Sequence, residues 1–328
     1  MRAEARLLLC VSLIGCAGDD LILGDGRAAD SGMVMRTDTG MDTGAQNSPP
    51  GGPDAAPTRA DFEPPRVIAE LESADVSDDD PSLTSDLLLL CFNSKREAGM
   101  GEEDIWCSRR TRSDEPWGTP EPQTALNSEH RETGIALSLD GLSLWFSSDR
   151  ADDSAGLDVY VATRSTRDSV WPEPTRVSEL SSQDDELVSS IDETEQRLLL
   201  ARRTRTSSDD TDDDDEADED DYDIFLAQRA TRTDPWQAPS PVSELNSDQG
   251  ESDAFLVSNG LELIFTRNDD LLLAQRASVD AMFDRIDALQ VLNSTERERD
   301  AWSNSAFTYV VFSSDRAGSF RLYESNRR

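Results

Sequence analysis

Asp104-Ile105-Trp106, Asp158-Val159-Tyr160, Asp223-Ile224-Phe225, Asp270-Leu271-Leu272 and Arg321-Leu322-Tyr323 are five versions of one segment, and the distances around them are fixed. Thirteen residues after the first position of the first four stands a large aromatic: Trp117, Trp171, Trp236 or Phe283. Nine residues further comes a leucine, Leu126, Leu180, Leu245 or Leu292. Twenty residues beyond each leucine an apolar run ends, at Phe146, Leu200, Phe265 and Phe312. Only the last leg varies: counted from Phe92 onward, its five lengths are 12, 12, 23, 5 and 9 residues. A repeat of about 50 residues with a single variable loop is the signature of a solenoid or propeller.

Each repeat holds four short stretches of strand character. In the second repeat they are residues 134–138, 142–147, 157–163 and, more weakly, 175–180. The second stretch (Leu142, Leu144, Trp145, Phe146) is nearly continuously apolar, as suits a strand covered on both faces. Asp140-Gly141, Asn259-Gly260 and Asn268-Asp269 are hairpin-turn pairs. With no helical periodicity anywhere, the chain is all-β: four antiparallel strands make a blade, and radial blades make a β-propeller. The last repeat stops at Arg328, before any closing aromatic or leucine, yet Phe62 and Leu71 stand nine residues apart near the other end. The spacing predicts that residues 62–71 supply the outer strand of the final blade, closing a five-bladed ring over residues 61–328.

The 328 residues carry a net charge of −37, which excludes a nucleic acid or an anionic membrane surface as the main partner, since binding phosphate needs clustered Lys and Arg. At the start, Arg2 and Arg6 precede the apolar run 7–14, a charged region and a core too short to span a bilayer. Leu13-Ile14-Gly15-Cys16 resembles the bacterial lipobox, which implies a signal peptide over residues 1–15 and a lipidated Cys16. Ala17 in place of Asp implies outer-membrane attachment, facing the periplasm or the surface. Residues 16–60 are rich in Gly, Asp, Thr, Ser and Pro and lack periodicity, the composition of a disordered tether.

Ser138-Leu139-Asp140-Gly141-Leu142-Ser143-Leu144-Trp145-Phe146-Ser147-Ser148-Asp149-Arg150 resembles the repeat of TolB-like, WD40-type propellers. Val242-Ser243-Glu244-Leu245-Asn246-Ser247 and Leu292-Asn293-Ser294 resemble the linker before each such repeat, and Val311-Phe312-Ser313-Ser314-Asp315-Arg316 repeats the match. The resemblance covers residues 62–328 and implies fold more than function. Repeats three and four depart from it: Ile191-Asp192-Glu193 lacks the turn glycine, and Thr266-Arg267 replaces the paired serines.

The connection after each leucine (Asn127-Ser128-Glu129, Asn246-Ser247-Asp248, Asn293-Ser294-Thr295) is expected on the same face as the variable loops. That face also receives the acidic insertion 205–222; twelve of the fifteen residues from Asp209 to Asp223 are Asp or Glu. Asp212, Asp214, Asp218 and Asp220 are the ligands calcium would find there, but the run has neither the turn glycine nor the closing glutamate of a calcium hand. A self-repelling, solubilising loop is the preferred reading. One histidine, His130, nearly excludes a His/Cys zinc site, and a Ser-His-Asp triad would have to pass through it. The repeated Trp117, Trp171, Trp236 and Phe283 are expected in the core rather than in a ligand-stacking ring, and Arg150 and Arg316 are expected to pair with neighbouring aspartates. Cys91 and Cys107 face each other if Ser94 faces Asp104, which would allow a disulfide in an oxidising compartment; two reduced, buried thiols are the alternative. The expected function is a monomeric, non-catalytic envelope lipoprotein without cofactor, binding a protein or glycan. The alternative is a secreted glycan-active hydrolase that uses propeller carboxylates.

Overall fold

A computed structural model describes residues 62–73, 76–151, 156–203 and 222–328. The expected signal peptide, Cys16, the tether and the acidic insertion up to residue 221 lie outside them. The described residues form five four-stranded antiparallel sheets without a helix. Blade 1 consists of Asp78–Leu83, Leu89–Ser94, Asp104–Arg109 and Glu121–Pro122, and blade 2 of Glu132–Leu137, Ser143–Ser148, Asp158–Thr163 and Thr175–Arg176. Blade 3 consists of Asp185–Ile191, Arg197–Arg203, Asp223–Gln228 and Ser240–Pro241; blade 4 of Glu251–Leu256, Glu262–Arg267, Asp270–Gln275 and Arg285–Ala288. Blade 5 takes Glu298–Ser303, Tyr309–Ser314 and Arg321–Asn326 from the end of the chain and Arg66–Val67 from before blade 1.

That last strand is the predicted closure. Arg66 lies opposite Glu324 and Val67 opposite Tyr323, and Phe62 bridges to Arg327. The Ile68 N–H donates to the Leu322 carbonyl at 2.9 Å, so pairing runs on past the strand itself. The first strands of successive blades pack side by side around the ring, including blade 5 against blade 1.

Stability comes from between the blades. The buried apolar residues fall into five clusters, and each fills the gap between two neighbouring blades. Second strands are buried at almost every position because blades flank them on both faces, which is why their sequences are apolar without alternation. Leu126, Leu180, Leu245 and Leu292 are all fully buried in these gaps, and Leu71 takes the fifth equivalent place. Phe62 packs edge-on against Phe307 with ring centroids 5.6 Å apart.

The hairpin turn between first and second strands needs one left-handed residue per blade. Gly141 and Gly260 supply it where the sequence has the turn glycine, while Leu87, Glu195 and Phe307 adopt it with φ of 60°, 52° and 51°. In blade 1, Cys91 stands opposite Cys107, the register inferred from the sequence, and their sulfurs lie at bonding distance in a buried site.

Two measurements follow from this packing. Deleting residues 61–72 removes Phe62, Ile68 and Leu71 from the clusters and exposes an unpaired strand edge, so the melting temperature should fall by 10 °C or more in thermal unfolding on an order-of-magnitude estimate. Alkylating the unreduced, denatured protein should leave Cys91 and Cys107 unlabelled, and reducing the pair should cost about 3 kcal/mol for a loop of this size.

Candidate functional site at the propeller axis

The first strand of every blade carries an acidic residue at its start: Asp78, Glu132, Glu251 and Glu298 at its first position, and Glu186 next to Asp185 in blade 3. Each is buried and held by an arginine from the second-strand side of the same blade. In blade 2, Glu132 accepts from the Ser128 N–H (2.9 Å), Ser128 Oγ (2.5 Å), Ser148 Oγ (3.1 Å) and Arg150 Nη2 (2.7 Å). Arg150 also donates to the Leu126 carbonyl at 2.6 Å and stacks on Phe146 and Tyr160. Blade 5 repeats this clasp with Glu298, Ser294, Ser314, Arg316 and the Leu292 carbonyl.

This corrects the expectation that Arg150 and Arg316 pair with aspartates. Their partners are glutamates at the start of the first strand, brought beside them by the sheet. Blades 3 and 4 make the same clasp in another form: Arg202 and Arg267 sit on the strand, where a serine stands elsewhere, and reach Glu186 and Glu251 through Nε. The Asn-Ser connections are structural too. Asn127 caps the backbone of Ile105 in the preceding blade, as Asn246 does for Ile224 and Asn293 for Leu271, while the adjoining serine binds the acid of the following blade.

At the opposite face, Trp117, Trp171, Trp236 and Phe283 are buried, each under an arginine (Arg110, Arg164, Arg229, Arg276) that donates to the carbonyl of its blade's left-handed turn residue. They form no stacking ring. His130 is half exposed, with Nδ1 3.7 Å from Asp149, and makes no catalytic constellation. Asp212, Asp214, Asp218 and Asp220 lie outside the described residues.

A site that sequence reasoning missed lies at the axis. Two residues into the first strand, pairing is interrupted by a bulge in blades 1, 2, 4 and 5, where Asp80, Gly134, Asp253 and Asp300 take φ of 50°, 60°, 53° and 58°. The three aspartates converge, with a carboxylate oxygen from each lying within 4.8 Å of the others. Asp80 Oδ2 accepts from Asn93 Nδ2 (2.6 Å), Thr133 Oγ1 (3.0 Å) and the Gly134 N–H (2.7 Å), while Asp253 Oδ2 accepts from Ser252 Oγ at 2.8 Å. Asp300 Oδ2 lies 3.3 Å from the Asp80 N–H and 3.5 Å from Arg299 Nε. Burial, then the neighbouring carboxylates, push the Asp80 and Asp300 carboxyls up; beside them burial and Glu103 push Asp79 up to about 8. The cavity they share with Ser189 and Trp302 has room for about one or two waters. A left-handed non-glycine residue costs roughly 1–2 kcal/mol, and such strain gathers at functional sites. The sequence did carry a signal: an acid followed two residues later by aspartate, in Asp78/Asp80, Glu251/Asp253 and Glu298/Asp300.

The clasp predicts a pH dependence. Burial outweighs Ser128 and Arg150 at Glu132 and raises its pKa. A raised pKa adds stability that is complete below the unfolded value and is lost as pH rises through the folded one. Glu132→Gln, a neutral isostere without this titration, should therefore gain stability relative to the parent as pH rises from 4 to 8 in denaturant titrations.

No protein-family model matches the chain, and no curated protein matches it. Solved structures resemble it in part. TolB from Acinetobacter baumannii shares 12% identity at a TM-score of 0.46, over 78% of this chain and 56% of that one. A thermostable family-43 glycoside hydrolase shares 8% identity at 0.48, over 77% and 89%. An oligogalacturonate lyase shares 12% at 0.40, over 80% and 68%. The chain spans little more than half the length of that TolB.

Proposed function

We propose that this protein is an envelope lipoprotein whose propeller binds a protein or glycan and performs no chemistry on it. The observation that carries the reading is the division of labour on one face. The repeated Asn, Ser, Glu and Arg residues there are consumed in holding blades together, so they form a rigid platform. The blades differ most in the connections between second and third strands, which share that face with the clasps: Arg150 of one such connection reaches Leu126, and Asp149 accepts from the Arg131 N–H. Variable loops on a rigid scaffold are the usual arrangement of a binding surface. The hydrolase reading has less support, because the axial carboxylates are mostly engaged with one another's backbone and with neighbouring side chains, not set as an isolated acid and base.

Cys16→Ser should release the chain from membranes or block its processing, as read by fractionation and mass spectrometry of the N-terminal peptide. Unchanged partitioning would overturn the lipoprotein reading. A partner recovered from envelope extract by the full chain should be lost when residues 205–222 are replaced by a short Gly-Ser linker and kept by Asp253→Asn. Glycan turnover abolished by Asp253→Asn would replace the binding reading with the hydrolase.

A further inference from the structure

The blades that place an aspartate at the axis are 1, 4 and 5, and the same three blades carry another anomaly. On the adjoining second strand, Asn93 Oδ1, Thr266 Oγ1 and Ser313 Oγ are buried without a hydrogen-bond partner. Each lies across from the residue that precedes the aspartate: Asp79, Ser252 and Arg299. Blades 2 and 3 lack both features. The equivalent Ser147 hydroxyl accepts the Val188 N–H at 2.8 Å, and the equivalent Ala201 has nothing to satisfy. A fourth orphan, Ser189 Oγ, is the unpaired residue of blade 3 and lines the cavity shared by the three aspartates. Buried oxygens without partners are rare in proteins and mark the place of water or an ion.

We propose that the propeller axis is a divalent-cation site of the calcium class, ligated by Asp80, Asp253 and Asp300, with bound water reaching Ser189 and the hydroxyls behind it. The donors are all hard oxygens, which favour calcium, magnesium or manganese over zinc or copper. Their oxygens lie within 4.8 Å of one another, close enough for one ion with oxygen ligands at about 2.4 Å to bind all three. Asp80 is pre-set for the role, since three donors fix one of its oxygens. The cavity between them has room for an ion and water. The site is independent of the binding function proposed above, because the clasps and the variable loops do not use these residues.

Calcium and magnesium should be titrated calorimetrically into full-length protein freed of metal by chelator and carrying Cys16→Ser. One saturable calcium site is expected, tighter than for magnesium, with a melting temperature raised by roughly 5 °C at hundredfold excess over Kd. Asp253→Asn/Asp300→Asn should abolish both effects, yet in chelator should melt at or above the parent, because it removes two mutually repelling charges. Replacing Asp212, Asp214, Asp218 and Asp220 by Asn should leave the site intact. Absence of a saturable site overturns the proposal, as does a site that survives the axial double variant. Loss of the site with the acidic-run variant also overturns it, and so does a double variant that melts well below the parent in chelator.

Discussion

The ring depends on one buried contact made five times: a carboxylate at the start of the innermost strand, gripped by an arginine that also holds the carbonyl of the buried leucine or stacks on a core aromatic. Neither partner stands alone. Removing one side of such a buried pair leaves an uncompensated charge and costs about 3–5 kcal/mol, while the pair itself adds modest net stability. What it adds is position. The contact fixes where the linking leucine enters the gap between blades, where the inner strand begins, and where the variable loop departs. Apolar burial supplies the energy, and the clasp decides which arrangement of blades collects it.

The same contact explains how much could be read from the sequence. The conserved distances from aromatic to leucine to apolar run are those of side chains locked into equivalent gaps, so blade number and the closing role of Phe62 and Leu71 were legible. The partner of Arg150 was not, because Glu132 and Arg150 meet only once the first and second strands pair. The axial aspartates were harder still. They stand among 68 acidic residues, and what sets them apart is a left-handed bulge that turns three distant positions towards one point. Spacing reveals periodic packing; it does not reveal which of many like residues a backbone irregularity selects.

The charge balance takes on a structural meaning as well. Five arginines close the clasps, and four more lie over Trp117, Trp171, Trp236 and Phe283. Nine of the 31 basic residues thus serve as internal mortar. The chain's net charge of −37 stands despite them, so acidic groups dominate what remains.

The seam imposes an order in time. Arg66 and its partner Glu324 are 258 residues apart, so a ribosome making about 5–20 residues per second finishes the partner roughly 10 to 50 s after the strand has emerged. Throughout that interval the first apolar segment, with Phe62, Ile68 and Leu71, has no groove to enter, because the last blade is not yet made. Closure is the last event of folding and the one with the greatest loop entropy against it. A nascent chain of this kind must be shielded at its beginning until its end exists.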